Sequence, residues 1–447
     1  MAPESGCWPH YLVSPFHKLW LTMVSIYTKM KKLANDDPRR LLHSLKVGIA
    51  LTLVSTLYYV TPIFKGFGSS TIWAVLTVVL VMEFTVGGTL TKGLNRAMAT
   101  LLAVASGFGA HHVAILTGGK GEIILLGIFI FLIAVVATFL RFIPVIKARY
   151  DYGVLIFMLT FSLVAVSSFR NHETFMLAYK RLVTIAIGVA VALLVSVLVF
   201  PIWAGEDLHL LTATNLERLA GFLEGFGAEY FGEKVKHDKI KSKALLQTYK
   251  SVLNTKATED SLANLGRWEP RHGRFQFRHP WKQYQKIGSL CRRCAYLVEA
   301  LRSYIIRSES QAASELEKNT RIRDACMEIS KESRRTMKVL ASSVKTMTKF
   351  SVSKKHMTAA AEAVKSLKMS LSEEGLLLRE ALHIATIVSL LLEIVSCAQD
   401  IEVAIEELAK LAGFEISSDQ GNDGLKEKEK SVSDHIELEG ISIVVLE

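Results

Sequence analysis

The sequence lacks the patterns that mark soluble enzymes and nucleic-acid-binding proteins. No zinc-finger spacing, RNA-recognition motif or basic helix-turn-helix accompanies the formal net charge of +11, so we predict no nucleic-acid partner. No Ser/His/Asp or paired-carboxylate arrangement stands out. No strand precedes Gly87, Gly88 and Gly93, as a phosphate-binding loop would require. We therefore predict that the chain is not an enzyme and holds no cofactor.

Cysteine is also scarce. The five cysteines are odd in number and four of them lie beyond residue 290, which indicates reduced cytosolic thiols and no disulfide framework. Cys291 and Cys294 have the spacing of a zinc-ligand pair, but no second CxxC follows and the surrounding pattern is helical. We predict ordinary buried or surface thiols here and no metal site.

Apolar residues, in contrast, are abundant. Half of the chain is hydrophobic and the mean hydropathy is +0.30, which is too apolar for an ordinary soluble enzyme. All the long apolar runs precede Pro201, and their lengths suit a hydrocarbon layer of about 30 Å. The sequence predicts six transmembrane helices, over 44–60, 70–86, 92–116, 123–142, 152–168 and 181–200. Lys and Arg favour the loops on the side of the N-terminus, which places both ends of the chain in the cytosol.

The composition changes near Trp203. Beyond Gly205, apolar residues recur every three or four positions among charged ones, which predicts a cytosolic bundle of amphipathic helices. The predicted fold class is an all-α membrane protein with six transmembrane helices followed by this bundle. Its parts are a cytosolic, partly amphipathic N-terminal segment that Pro15 interrupts, a transmembrane domain, a cytosolic helical domain and a disordered acidic tail, over 1–40, 41–203, 204–414 and 415–447.

One stretch, residues 73–104, combines two apolar runs with a glycine-rich turn and two cations. Lys92 and Arg96 stand four residues apart, so a helix places them on one face at its start, ahead of a series of alanines and glycines. Such small residues permit close helix packing in lipid. A cation inside a spanning helix costs roughly 2.5 to 3.5 kcal/mol at the centre, so by default it faces a wet cavity or a partner. The pattern indicates anions in a membrane.

Five segments are specific enough to indicate a family. They are DPRRLLHSLKVGIALTLVSTLYYV (37–60), IWAVLTVVLVMEFTVGGTLTKGLNR (72–96), RFIPVIKARYDYGVLIFMLTFSLVAVS (141–167), FPIWAGEDLH (200–209) and RWEPRHGRFQFRHPWKQY (267–284). In this order they resemble the plant aluminium-activated malate transporter family, from residue 37 to about residue 304. The resemblance implies a homodimeric anion channel in membrane lipid that passes malate and often the inorganic anions nitrate, sulfate and chloride.

The resemblance also implies a pore lined by basic residues. Arg96, in the GLNR motif, and Arg181, at the start of the last span, match arginines of that family. The other candidates lie near the ends of the spans and are Lys92, Lys46, Lys180 and Arg141. Each candidate has an alternative role as an anchor whose charge reaches the lipid headgroups. Glu83 is expected to pair with Lys46 or Lys92.

Two further motifs follow the spans. An aromatic hinge and the acidic residues after it join the last span to the first cytosolic helix, and this predicted gating coupler comprises Phe200, Trp203, Glu206 and Asp207. Farther on, the segment 267–280 contains too many prolines, glycines and aromatic residues for a helix. Within it, Trp268, Glu269 and Pro270 are expected to fix the linker to the bundle.

Aluminium dependence is expected to be weak. Trivalent cations need clustered oxygen ligands, and the predicted external loops at 62–69 and 170–179 offer one carboxylate, that of Glu173. The chain shows no obvious sorting signal, and we expect the plasma membrane rather than the vacuolar membrane.

Two other functions remain open at this point. A coupled organic-acid exporter, resembling bacterial fusaric-acid-resistance efflux proteins, would need a titrating carboxylate in mid-membrane or a discontinuous helix, and the sequence shows neither. A membrane-anchored scaffold would leave the cations at both mouths unexplained.

Overall fold

The computed structural model describes residues 10–60, 68–170, 174–230, 247–277, 279–307, 320–349, 352–373 and 378–416. Nearly all of this described chain is helical, and its two short strands, β1 (Thr348–Lys349) and β2 (Glu415–Ile416), pair in parallel. The predicted all-α class is therefore confirmed for the described residues. The helices form two compact units, and the boundary between them in the sequence lies between Ile202 and Trp203.

The first unit is built from helices that precede this boundary. They are α1 (His10–Asp36), α2 (Pro38–Tyr59), α3 (Ile72–Val81), α4 (Val86–Ile115), α5 (Gly119–Leu140), α6 (Pro144–Arg149), α7 (Asp151–Arg170) and α8 (Thr174–Leu198). A 3-10 turn over Gly68–Thr71 precedes α3. Helix α1 continues through Pro15, where the sequence indicated an interruption.

Four helical stretches of the described chain are long and apolar enough to cross a membrane. Three belong to the first unit, over Val86–Ile115, Gly121–Leu140 and Ala178–Leu198, while Ile72–Val81 and Asp151–Ser167 are apolar but shorter. The fourth, Ile384–Leu411, lies in the second unit and is half buried there. Its apolar residues contribute to the core of that unit, as expected for a bundle helix.

The second expected span, over 70–86, differs in the structure. Helix α3 has only ten residues, which is about 15 Å and half of a hydrocarbon layer. The backbone becomes extended at Met82 (φ −62°, ψ 117°). Thr85 then caps α4, because its hydroxyl oxygen accepts a hydrogen bond from the Gly88 N–H at 3.1 Å. A new helix therefore begins at Val86, where hydropathy alone would continue the preceding one.

The first expected span, over 44–60, begins earlier in the structure. Helix α2 starts at Pro38, a residue type that suits the first helical position because it needs no partner for a backbone N–H. Asp37 caps this helix, and its carboxylate accepts a hydrogen bond from the Arg39 N–H at 3.1 Å. Local capping chemistry thus adds about one and a half turns of polar helix before the apolar run.

Two apolar clusters stabilise the first unit. Helices α2, α3 and α8 share one cluster, and helices α4, α5 and α7 share the other. Gly93 of α4 faces Val189 of α8, and Gly107 of α4 faces Val164 of α7. A Cβ at these glycines would lie 2.9 and 2.7 Å from the facing valine methyl groups. The absence of side chains at these positions therefore sets the spacing between the helices.

The second unit is a bundle of the remaining helices. They are α9 (Ala204–Tyr230), α10 (Lys250–Leu253), α11 (Lys256–Gly266), α12 (Trp281–Arg307), α13 (Thr320–Thr346), α14 (Val352–Glu373) and α15 (Leu378–Leu411). The described part of the linker 267–280 lies outside these helices, and its Phe275 is buried in the core of the bundle. Of the expected acidic tail, the structure describes Glu415–Ile416, which form β2, while residues 417–447 lie outside the described chain.

Replacing Gly188 with alanine is expected to destabilise the first unit. The added Cβ would lie 2.7 Å from the Ala74 carbonyl oxygen and 2.8 Å from Thr77 Cβ. Helices α3 and α8 would have to separate, at a cost of about 1 to 3 kcal/mol. Gly109→Ala is the matched control, because nothing lies within 4 Å of its added atom. Thermal unfolding of the detergent-solubilised protein should show a lower midpoint for Gly188→Ala alone, and equal midpoints would contradict the close approach.

Candidate functional site

The basic side chains of the first unit differ sharply in their surroundings. Lys46 and Arg96 are only 1% and 3% exposed. Each keeps a buried nitrogen without a hydrogen-bond partner among the described residues, Nζ in Lys46 and Nε in Arg96. Lys92 and Arg141 instead form ion pairs with carboxylates. Lys46 and Arg96 are the unusual residues, because a buried charge without a partner destabilises a fold.

Lys46 lies on the inward face of α2. Ala50 and Val54, one and two turns farther along, are fully buried in the cluster with α3 and α8, and the helical period places Lys46 on the same face. His43, about one turn before Lys46, also has a buried ring nitrogen without a partner in the described chain. Its ring lies 5.6 Å from that of Phe84 between centroids. Unpartnered polar atoms therefore gather near the start of α2.

Arg96 lies ten residues after the start of α4, about 15 Å along the helix axis. Its Nη1 donates a hydrogen bond to the Tyr152 hydroxyl of α7 at 3.3 Å. A phenol hydroxyl is neutral, so this contact orients the guanidinium without compensating its charge. The structure thus holds a full positive charge between α4 and α7.

Lys92, one turn before Arg96, has a different environment. Its ammonium forms an ion pair with Glu83 and lies 5.7 Å from the centroid of the Tyr152 ring, within cation–π range. Glu83 belongs to the break between α3 and α4, where its N–H donates a hydrogen bond to Thr89 Oγ1 at 3.0 Å. The expected pairing of Glu83 is therefore made with Lys92, whose charge is compensated.

The three remaining candidates lie on α8 and at the end of α5. The guanidinium of Arg181 lies 5.1 Å from the centroid of the Trp73 ring, and its Nε is buried without a partner in the described chain. Lys180, its neighbour, is half-buried. Arg141 donates hydrogen bonds to both carboxylate oxygens of Asp151, at 2.6 and 3.1 Å. Its charge is thus compensated, which makes Arg141 less available to a mobile anion.

Residues that the sequence did not single out complete this arrangement. Tyr152 contacts two of the candidate cations, Trp73 contacts a third and Asp151 neutralises a fourth. Tyr152 and Arg96 are 56 positions apart, so no helical period connects them. Selecting Lys and Arg residues from the sequence therefore does not find these neutral and acidic partners.

Comparison with known proteins identifies the family. Residues 31–380 match the family model described as aluminium activated malate transporter. The chain belongs to this family. Aluminum-activated malate transporter 1 of Triticum aestivum is 50% identical over 395 residues, which cover 87% of this chain and 86% of the relative. Aluminum-activated malate transporter 2 of Arabidopsis thaliana is 46% identical over 392 residues, which cover 86% and 77%.

The resemblance inferred from the five segments is thus confirmed. Together with the apolar helices, membership of the aluminium-activated malate transporter family makes this chain a multi-pass membrane protein. The named relatives are transporters, not enzymes.

The first part of the predicted gating coupler belongs to the first unit. The Val86 N–H donates a hydrogen bond to the Ile202 carbonyl at 2.9 Å, which ties the end of the α8 segment to the start of α4. Phe200, two residues earlier, is exposed and has a φ of +44°. A bulky residue in this left-handed region is strained and must be held by its surroundings.

The rest of the coupler belongs to the second unit. The Trp203 ring stacks on the His272 ring of the linker, with 3.9 Å between centroids and 7° between planes. The Asp207 N–H donates a hydrogen bond to the Trp203 carbonyl at 3.1 Å in the first turn of α9, where Glu206 is exposed. Stacking and helix formation therefore both order Trp203.

Glu269 fixes the linker by capping α9. Its buried carboxylate accepts hydrogen bonds from the Ala204 N–H at 2.7 Å and the Gly205 N–H at 3.0 Å. A negative charge at a helix N-terminus also interacts favourably with the helix dipole. Trp268 is largely exposed, and the Pro270 carbonyl lies 2.9 Å from a ring nitrogen of the linker. Among the three linker residues, Glu269 therefore makes the main connection.

A neutral polar network lies in the same part of the bundle. The Tyr284 hydroxyl is 2.9 Å from His209 Nδ1 and 3.2 Å from His279 Nε2. Burial lowers the pKa of each histidine to about 4 and raises the pKa of the tyrosine. All three side chains are uncharged at neutral pH, so their burial requires no counter-ion.

The described cysteines are free thiols in the core of the bundle. Cys291, Cys294, Cys326 and Cys397 are all buried. Burial raises the pKa of Cys326 to about 12, so this thiol stays protonated. The described chain contains no group of three or more His, Cys, Asp or Glu side chains that could hold a metal ion. The CRRC pair therefore contributes to packing.

Replacing Glu269 with alanine is expected to loosen the start of α9. Two buried N–H groups would lose their acceptor, at a cost of about 1 to 3 kcal/mol. Glu269→Gln keeps one acceptor oxygen and should lose less. Hydrogen exchange at Ala204 and Gly205 should accelerate in the alanine variant, whereas Glu206→Ala, which removes an exposed acid from the same turn, should leave it unchanged. Unchanged exchange in Glu269→Ala would contradict the capping role.

Replacing Lys46 with methionine is expected to stabilise the protein. An apolar side chain of similar length removes a buried, unpartnered ammonium, and the gain should be about 2 kcal/mol. Lys29→Met, on an exposed position of α1, is the matched control and should change little. Thermal unfolding in detergent without added anions measures both effects. A lower midpoint for Lys46→Met would show that Lys46 has a stabilising partner in the folded protein.

Proposed function

We propose that the protein is a passive anion channel that conducts malate, together with nitrate, sulfate and chloride, along a path lined by basic side chains in a homodimer. Six membrane crossings and cytosolic termini belong to this proposal, as does a location in the plasma membrane. The relatives named as malate transporters support malate as the principal anion.

The observation that carries the proposal is the burial of Lys46 and Arg96, with which no carboxylate of the described residues forms an ion pair. A charge removed from water requires a partner, a metal or bound solvent. An anion that passes through supplies such a partner transiently. Because no carboxylate of the described chain pairs with Lys46 or Arg96, the passing anion can bind and then leave.

The distribution of charge along the path supports the same function. Lys92 and Arg141 are compensated by carboxylates, whereas Lys46, Arg96 and Arg181 keep nitrogens without partners in the described chain. The uncompensated set forms a positive potential that concentrates anions and repels cations. Small inorganic anions experience this potential as malate does, so they are expected to permeate as well.

The charges also bear on the alternative of a coupled exporter. Asp37 is the only buried carboxylate among the described residues of the first unit, and it caps α2. A proton-coupled mechanism would need a titrating group within the spans. The relatives are named malate transporters, which does not favour an exporter of the fusaric-acid-resistance type.

Two regulatory properties complete the proposal. The coupler residues Phe200, Trp203, Glu206 and Asp207 transmit changes in the bundle to the path. Conduction depends weakly on aluminium, because the sequence at 62–69 and 170–179 provides one carboxylate, that of Glu173. Voltage or cytosolic malate, rather than aluminium, opens the anion path.

Voltage clamp of the expressed protein tests the function. Malate currents should reverse at a potential that follows the Nernst equation for malate. Reversing a charge by Arg96→Glu or Arg181→Glu should lower the anion-to-cation permeability ratio by more than about tenfold, because each change replaces an attraction within a few ångströms by a repulsion.

Lys147→Glu is the control for these variants. It makes the same change of charge on an exposed residue of α6 and should leave the permeability ratio within about twofold of the parent value. An unchanged ratio in both arginine variants would remove these residues from the path. Electroneutral malate flux would contradict a channel and favour a coupled exporter.

A further inference from the structure

We infer that Tyr152 is a specificity-determining residue, whose hydroxyl donates a hydrogen bond to a carboxylate held at Arg96. This inference rests on the proposed anion path, and it adds to that path a neutral donor that favours carboxylates over halides.

The direction of the hydrogen bond between these residues is fixed by chemistry. A guanidinium has only donors, so the Tyr152 oxygen accepts from Arg96 Nη1 at 3.3 Å. The phenol hydrogen must then point to another acceptor. Within the described chain, no acceptor is placed to receive it. The hydroxyl therefore has an unused donor beside a buried cation.

Arg96 provides the positive charge beside this donor. Its side chain is almost completely buried, and its Nε has no partner in the described chain. The phenol hydrogen can bond to one oxygen of a carboxylate that the guanidinium charge attracts, and hydrogen bonds to ionised groups are short and directional. A halide has a single centre and gains mainly from the charge.

The surrounding contacts fix the position of Tyr152. Asp151 is bound by Arg141 through two hydrogen bonds, at 2.6 and 3.1 Å. On the α4 side, Asn95 Nδ2 donates a hydrogen bond to the Arg149 carbonyl at 2.9 Å. These contacts tie the start of α7 to α5 and α4, so the hydroxyl is held in place before an anion arrives.

Lys92 strengthens the donor. Its ammonium lies 5.7 Å from the centroid of the Tyr152 ring, and a cation at this distance draws electron density from the ring. The phenol hydrogen becomes more positive as a result. Lys92, whose charge Glu83 compensates at the mouth, thus acts on the anion through Tyr152.

The test compares Tyr152→Phe with Tyr150→Phe in voltage clamp of the full-length protein, with sodium malate and sodium chloride as probes. Tyr152→Phe keeps the ring under Lys92 and removes the donor. Its half-saturating malate concentration should rise about tenfold, as expected for a lost hydrogen bond to a charged group. Chloride conductance should stay within about twofold and shows that the variant is folded. Tyr150→Phe, an exposed tyrosine two residues earlier, should behave like the parent.

A double-variant cycle with Arg96→Gln separates this role from a general one. If the hydroxyl acts on an anion held at Arg96, Tyr152→Phe should add little to the loss of malate affinity already present in Arg96→Gln. Unchanged malate affinity in Tyr152→Phe, equal losses of malate and chloride current, or independent additive effects would each overturn the inference. Absence of malate current in the parent protein would instead overturn the proposed function.

Discussion

The constraint on which the first unit depends is the burial of positive charge that no carboxylate within the described residues compensates. Lys46 and Arg96 lie almost entirely out of solvent within helices whose other inward residues are small or apolar. The close contacts of Gly93, Gly107 and Gly188 keep those helices near one another. The packing that stabilises the unit thus also maintains its least favourable feature.

Several buried carboxylates of the second unit have hydrogen-bond or ion-pair partners. Glu259 accepts from Thr255 Oγ1 and Arg292, Glu269 accepts from two backbone N–H groups, and Glu332 lies beside Arg335 and His356. These carboxylates are compensated in full, as the desolvation cost demands. Glu402 of the same unit, in contrast, keeps a buried carboxylate oxygen without a partner in the described chain, so an uncompensated buried charge is not confined to the first unit.

Much of the fold follows from periodicity and composition, but the site depends on pairings across the chain. Hydropathy predicts the apolar helices, and the change near Trp203 predicts the second unit. Hydropathy does not predict the break between Val81 and Val86, because the extended backbone at Met82 and the Thr85 cap of α4 leave average hydropathy unchanged. Likewise, Arg141 has the sequence features of a pore cation, and only the fold shows that Asp151 neutralises it. Charge is readable from a sequence, whereas compensation of charge is a property of contacts.

The same contacts weigh against the alternative in which the basic residues only anchor helices at the membrane surface. An anchor extends along its helix until the charged group reaches water or lipid headgroups. Lys46 Nζ and Arg96 Nε have essentially no exposed surface, so neither side chain extends to water or to lipid headgroups. Lys180, which is half-buried, can still act in this way. Burial thus separates two groups of cations that charge and position in the sequence treat alike, and it leaves Lys46 and Arg96 as the residues whose buried charge still requires a partner.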